Sequence, residues 1–246
     1  VKASSSNYVP IILTPKDTFS IFNILPLLQQ TMVLLDAVTG LRYSEIAGLR
    51  WKDVDWKDKS IQIQRRWIRN NIDAPKTKAS KAPVVMSDIL AAYLLAWRQQ
   101  TTYSKVEDWI FASVRTKGAT PRVGNMLVRD YLYPAAVKAG VLAESKKHET
   151  WIDRKTGKAM EGERTVYFDR KGERVKRFGF HQFRHSLSSF LTTKKKVDPK
   201  TAQTTLRQSN AAFTLSRYTQ TDTDELMAAQ QMMVDAIFGA AGDAIQ

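Results

Sequence analysis

The chain has 246 residues, with 38 Lys and Arg against 24 Asp and Glu, three histidines and no cysteine, for a formal charge of +14. That length allows one large domain or two small ones. The missing thiols exclude a disulfide framework and thiolate metal sites, the longest apolar run (Ile89 to Trp97) is too short to span a membrane, and Val1 to Ser6 lack the apolar core of a signal peptide. An excess of positive charge on this scale attracts phosphate-bearing surfaces over a Debye length, which puts nucleic acid first among partner classes.

Residues 1–14 read as a linker that ends in a helix start, where Thr14 caps a helix with Pro15 at its first position. The apolar stretch Ile21 to Val38 predicts a buried helix, interrupted or restarted at Pro26 and closed by Gly40, with a short second helix over Ser44 to Leu49. From Lys59 the pattern alternates, with Ile61, Ile63 and Trp67 on one face, and this predicts a half-buried strand. Pro75 to Met86 carries a polar turn between two short extended pieces, consistent with a small antiparallel sheet.

Ser87 opens an amphipathic helix that places Ile89, Leu90, Tyr93, Leu94 and Trp97 in the core, and Val123 to Ala139 predicts another, ending at Gly140. Between Ser145 and Arg177 two similar charged turns, Asp153 to Lys158 and Asp169 to Arg174, are flanked by strand formers and predict two hairpins. Helical periodicity then covers Phe183 to Thr193, Pro199 to Leu206, Ala211 to Tyr218 and Asp224 to Phe238. The class is α+β and mainly α-helical.

Three clusters carry chemistry. In Thr39-Gly40-Leu41-Arg42-Tyr43-Ser44-Glu45, an arginine at a helix start just after a glycine turn projects a planar donor fork suited to holding a phosphate through two parallel hydrogen bonds. In His181-Gln182-Phe183-Arg184-His185-Ser186, positions 181 and 184 share a helix face and can meet one substrate group, while Phe183 points inward. The third cluster, Leu206 to Tyr218, closes on Tyr218, which by itself is one tyrosine among eight.

In order and spacing these clusters resemble the tyrosine recombinase (phage integrase) family. Residues 39–51 match Thr-Gly-Leu-Arg-x-Ser-Glu-Ile-x-x-Leu-x-Trp at every specified position, residues 181–186 match His-x-x-Arg-His-Ser, and residues 209–218 match Ser-x-x-x-x-Thr-Leu-x-x-Tyr. The resemblance runs from about residue 14 to 238. It implies the family's catalytic-domain fold, with a small antiparallel sheet after the second helix. It also implies a domain over 15–221 that carries a basic hairpin insertion near 145–177. Residues 1–14 would then link to an N-terminal DNA-binding region, and 222–246 would form a C-terminal helix packing on its own domain or on a neighbouring protomer.

By position the resemblance makes Tyr218 the nucleophile, Arg42 and Arg184 the arginine pair on the scissile phosphate, and His181 the imidazole that assists proton transfer. Lys76 becomes the hairpin lysine, with Lys78 as the second candidate. The family usually has Gly-His before the serine of the tyrosine box, whereas this chain has Arg207-Gln208; Gln208 can donate a hydrogen bond to a phosphate oxygen but cannot become charged. Glu45 reads as a partner that orients Arg42, and His185 as structural. The implied activity is site-specific DNA recombination or integration through a 3′-phosphotyrosine, with no cofactor or metal. The implied partners are double-stranded DNA and three further copies of the chain in a tetramer on two DNA sites, with no membrane, in the cytoplasm of a bacterial or phage-derived setting. Two alternatives share the charge pattern, a non-catalytic DNA-binding module derived from a recombinase and a type IB topoisomerase-like DNA relaxase.

Overall fold

A computed structural model describes residues 11–75, 81–153, 156–191 and 223–239. Helix α1 (Pro15–Ile24) starts where the sequence places it. Thr14 Oγ1 accepts from the Asp17 backbone N–H at 3.1 Å and Asp17 Oδ2 accepts from the Thr14 N–H at 3.0 Å, so two otherwise orphaned donors are satisfied reciprocally. Pro26 separates α1 from α2 (Leu27–Thr39), and Gly40, in the left-handed region at φ 63°, ends α2 by donating its N–H to the Asp36 carbonyl at 2.8 Å. Eleven of the thirteen α2 residues are buried, so this helix is the axis of the core.

Helix α3 (Tyr43–Ala47) follows at once. Gly48 ends it where the chain passes close to a later strand: a Cβ there would meet the Arg65 carbonyl oxygen at 2.8 Å and the Arg66 Cα at 2.9 Å, both backbone atoms.

The expected strand from Lys59 through Trp67 is broken in two. Strands β1 (Val54–Asp55), β2 (Ser60–Ile61) and β5 (Val84–Val85) form one antiparallel sheet in the order β1-β2-β5, while β3 (Arg66–Ile68) pairs with β4 (Asn71–Asp73) in a separate hairpin. Ile61 and Ile63 are buried as expected, but the chain crosses from one sheet to the other between them and Trp67 to bring β3 against α3. Arg69 and Asn70, both at positive φ, make the two-residue turn that joins β3 to β4. The small antiparallel sheet is therefore present, with Val84 and Val85 of the Pro75 to Met86 segment paired to β2, while residues 76–80 of its turn lie outside the described residues.

Helix α4 (Asp88–Gln100) is capped by Ser87. Leu90 and Leu94 are fully buried, but Tyr93 and Trp97 lie at the margin of the core rather than within it, where the Trp97 indole N–H donates to the Ile110 carbonyl at 2.7 Å. The helix expected over Val123 to Ala139 is present as α5 (Gly124–Leu127) and α6 (Tyr133–Lys138), joined by a widened π-turn over Val128–Leu132. Pro134 accounts for the widening, since it lacks an N–H and its ring crowds the carbonyl four residues back.

Of the two hairpins expected between 145 and 177, one is present among the described residues. Strands β6 (Ala143–Ile152) and β7 (Ala159–Phe168) pair over ten residues each. The second charged turn is a tight loop in which Asp169 Oδ1 accepts from the Lys171 and Glu173 N–H groups, folding Arg174 and Val175 back along β7. Asp169 satisfies the loop's donors locally, so no further strand is needed. Arg170 in this loop reaches Asp17 Oδ1 at 2.7 Å and ties the hairpin's base to the cap of α1.

Helix α7 (Phe180–Ser189) starts three residues before the expected Phe183, and α8 (Thr223–Gly239) spans the expected C-terminal helix. Ala229, Met233, Val234 and Ile237 of α8 are buried in the chain's own core, Phe238 meets Phe22 edge-to-face at 5.4 Å, and the Gln230 amide accepts from Ser87 N–H and donates to the Val85 carbonyl. The remaining expected helices, Pro199 to Leu206 and Ala211 to Tyr218, lie outside the described residues. Among the described residues no helix is long and apolar enough to cross a membrane.

Candidate active site and nucleic-acid interface

Arg42 occupies the cap position of α3, held at the end of the buried α2 by the Gly40 turn. Glu45, 3% exposed, accepts from the Arg42 backbone N–H at 3.0 Å through Oε2 and from Arg42 Nη1 at 3.3 Å through Oε1. With the backbone and one nitrogen braced, the guanidinium, on a side chain 44% exposed, keeps its other donors for the surface.

Helix α7 packs along α2 and brings the second cluster to the same end. His181 is exposed on its first turn, Phe183 is fully buried as the spacing predicts, and Arg184 is 4% exposed. Ser186 Oγ donates to the Gln182 carbonyl and accepts from the Leu13 N–H at 2.8 Å, which fixes α7 against the segment before α1. The rings of His181 and His185 meet edge-to-face at 4.4 Å. His185, read as structural from the sequence, thus lies against His181.

The electrostatics of the cluster link its members. Burial lowers the His181 pKa below the ordinary imidazole value, and the charges of His185, Arg184 and Arg42 lower it further. His185 is lowered by burial and by Arg184. Both imidazoles are therefore neutral at pH 7 and able to accept a proton. The Tyr43 ring, next to Arg42, packs on the Phe180 ring, next to His181, with centroids 5.2 Å apart, so the starts of α3 and α7 meet. Tyr43 faces the same region, but its hydroxyl donates to the Arg122 carbonyl and burial raises its pKa, so it is a poor nucleophile. Lys76, Lys78, Gln208 and Tyr218 lie outside the described residues.

A cavity of about 670 Å³ opens beside this cluster, with Trp67, Arg69, Arg122, Arg177, His181 and His185 among its lining residues. Across Asn125 and Val128 it adjoins a second cavity of about 880 Å³, bordered by Arg129, Arg164, Arg174 and Lys176. Cations from the β3–β4 turn, the α5 entry, the β6–β7 hairpin and the approach to α7 therefore line two adjoining concavities, a surface suited to a polyanion. Motif reading missed Arg69, Arg122 and Arg177, whose only signal in the sequence is the overall excess of charge. Among the described residues no three His, Asp or Glu side chains gather as a metal-binding group.

This architecture, mainly helical with small antiparallel sheets and an arginine at the start of α3 facing a His-x-x-Arg helix, is the catalytic-domain fold of the tyrosine recombinases. The model of the phage integrase family matches residues 12–225, and the chain belongs to that family. Among solved structures it resembles the Tn1549 transposon integrase (residues 82–397, Y379F) in complex with transposon right-end DNA. The identity is 20% and the TM-score 0.57, over 94% of this chain and 68% of that one. The same integrase in complex with circular intermediate DNA gives 17% identity and a TM-score of 0.55, covering 94% and 67%. The XerA recombinase gives 16% identity and a TM-score of 0.53, covering 95% of this chain and 65% of its own. At these identities the likeness shows the fold. No curated protein matches the sequence.

Proposed function

We propose that the chain is the catalytic part of a site-specific DNA recombinase that cuts and rejoins strands through a covalent phosphotyrosine. The supporting observation is that the start of α3, which carries Arg42, meets the start of α7, which carries His181 and Arg184, beside a concavity lined with cations. Two arginines and a neutral imidazole are the groups that phosphodiester exchange requires around a tetrahedral phosphate, where charge grows on the non-bridging oxygens and a nucleophile must lose a proton.

In this reading the Tyr218 hydroxyl oxygen attacks phosphorus and gives its proton to His181. The bond from phosphorus to the 5′ oxygen breaks, and Lys76, or Lys78 in its place, protonates the leaving oxygen. Arg42, Arg184 and Gln208 hold the non-bridging oxygens. The 3′-phosphotyrosine conserves the phosphodiester bond energy, so a free 5′-hydroxyl can reverse the step on the same or another strand without a nucleotide cofactor. The DNA duplex lies along the cation-lined concavity, and recombination engages four protomers on two duplexes. The integrase structures with DNA noted above support the choice of partner.

The test is a duplex selected from a random pool for binding and nicked near the cleavage point, so that religation is blocked. The wild-type chain is expected to form a protein–DNA adduct stable on a denaturing gel, and Tyr218→Phe none. Binding without an adduct in the wild type would identify a non-catalytic module, and relaxation of plasmid lacking the selected site would identify a topoisomerase.

A further inference from the structure

The alternation from Lys59 predicts Trp67 in the core with Ile61 and Ile63. The two isoleucines are buried, but the Trp67 ring stays half-buried on β3, outside the main hydrophobic cluster of the described residues, and lines the cavity of about 670 Å³ beside His181. It meets Trp109 edge-to-face at 5.5 Å, and the Arg50 guanidinium lies 4.3 Å from the Trp109 ring centroid. The strand that carries it is fixed, since Gly48 lets the end of α3 approach the β3 backbone and Arg66 Nε donates to the Ala74 carbonyl at 2.9 Å.

Arg122 lines the same cavity. Its main chain is tied on both sides, the N–H donating to the Phe111 carbonyl at 2.9 Å and the carbonyl accepting from the Tyr43 hydroxyl. Its side chain makes no hydrogen bond or ion pair among the described residues, and its Nε is buried without one. A half-buried guanidinium whose donors are all unspent gains free energy when an anion is brought to it. Asn70 and Asn125 add amides that both donate and accept, and among the described residues no acidic side chain lines the cavity.

Phosphates on the outside of a duplex are served by cations alone. An indole ring beside an unspent arginine and two amides is the set that meets a base face, a phosphate and a hydrogen-bonding base edge together. The volume also falls within the range of pockets that enclose a small ligand. We propose that this cavity takes one nucleotide turned out of the duplex beside the cleavage point, with its base against Trp67 and its phosphate on Arg122. The inference rests on the reading that DNA is the partner.

The test scans the duplex selected for binding with single mismatches, one position at a time. Unpairing is cheapest at a mismatch, so binding is expected to tighten by about threefold or more where the base turns out. An abasic nucleotide is then placed at that position, on each strand in turn. On the matched duplex Trp67→Ala is expected to weaken binding by about fivefold or more, the lower end for loss of one base–aromatic stack, and Trp67→Phe to lose less. With the turned-out base removed, Trp67→Ala is expected to bind within about twofold of wild type, because nothing is left to stack. Arg122→Gln is expected to lower the slope of log affinity against log salt by about 0.9 on both duplexes, because the phosphate remains.

A mismatch profile with no tightened position, an equal loss in Trp67→Ala on matched and abasic duplexes, or an unchanged salt slope in Arg122→Gln overturns the proposal and leaves DNA as the partner. Trp67→Leu supplies the comparison if the alanine variant does not fold, as judged by its melting temperature. If the wild-type chain retains no duplex from the random pool, the DNA reading and this proposal fail together.

Discussion

The carboxylate of Glu45 accepts from both the backbone N–H and the guanidinium of Arg42, at 3.0 and 3.3 Å, from a position almost wholly out of solvent. One residue thereby closes the first turn of α3 and aims the arginine that the first motif supplies. Glu45→Gln keeps the shape and removes the charge. It is expected to lower the unfolding free energy by about 1–3 kcal/mol, the range for weakening a buried charged hydrogen bond. It is also expected to slow adduct formation more than it weakens duplex binding. Thermal unfolding and single-turnover cleavage, measured on the same preparation, check both.

Tyr43 and Tyr218 are separable by substitution. Tyr43 lies beside the cluster, but its hydroxyl is already committed to the Arg122 carbonyl and is hard to ionise. Tyr43→Phe is expected to retain the covalent adduct with a modest loss of stability, about 1 kcal/mol for one hydrogen bond, whereas Tyr218→Phe is expected to abolish it. An adduct that survived in Tyr218→Phe and vanished in Tyr43→Phe would reassign the nucleophile.

The lowered pKa values of His181 and His185 set the direction of the pH dependence. In the unfolded chain these imidazoles titrate near 6.5, and in the folded chain they titrate lower. Between the two values the unfolded state binds more protons, so stability is full above about pH 6.5 and falls as the pH drops toward the folded values. The cleavage rate is expected to stay level through neutral pH and to decline only below the ordinary histidine range, with the decline removed in His181→Gln. A rate that falls already between pH 8 and 7 would show that His181 does not act as a neutral proton acceptor.

The cations of the concavity can be counted against DNA. If Arg69 and Arg177 each neutralise a phosphate, alanine at either is expected to reduce the slope of log affinity against log salt by about 0.9. The hairpin can be tested in the same way with Lys147→Ala and Arg164→Ala. Lys147 lies over the Phe168 ring and Arg164 over the Trp151 ring, and the two share one face of the β6–β7 ribbon. An unchanged slope on the hairpin would make it a solvated excursion and would confine the DNA path to the cavity beside His181.

Local rules are strongest where a residue's neighbours in sequence are also its neighbours in space. The Thr14 cap, the Pro26 break, the Gly40 stop, the Ser87 cap and the inward face of α7 were therefore all legible, as were the arginine and histidine motifs, because each is complete within one turn of chain. The strand after Lys59 was misread because its alternation is real but its partners are distant: β2 pairs with β1 and β5, and β3 with β4. The second charged turn closes tightly because Asp169 accepts from two N–H groups of its own loop, and the chain returns along β7 through a single bridge rather than a new hairpin.

The sequence by itself determined the family, the helix ends marked by a cap, a proline or a glycine, and which residue types could hold a phosphate. Only the packing of α7 along α2 decided that Arg184 is buried and that the start of α7 meets the start of α3, where Arg42 sits. Those relationships join residues far apart in sequence across a core whose contacts no local pattern encodes, and burial then strengthens their electrostatics by removing the water that would otherwise screen them.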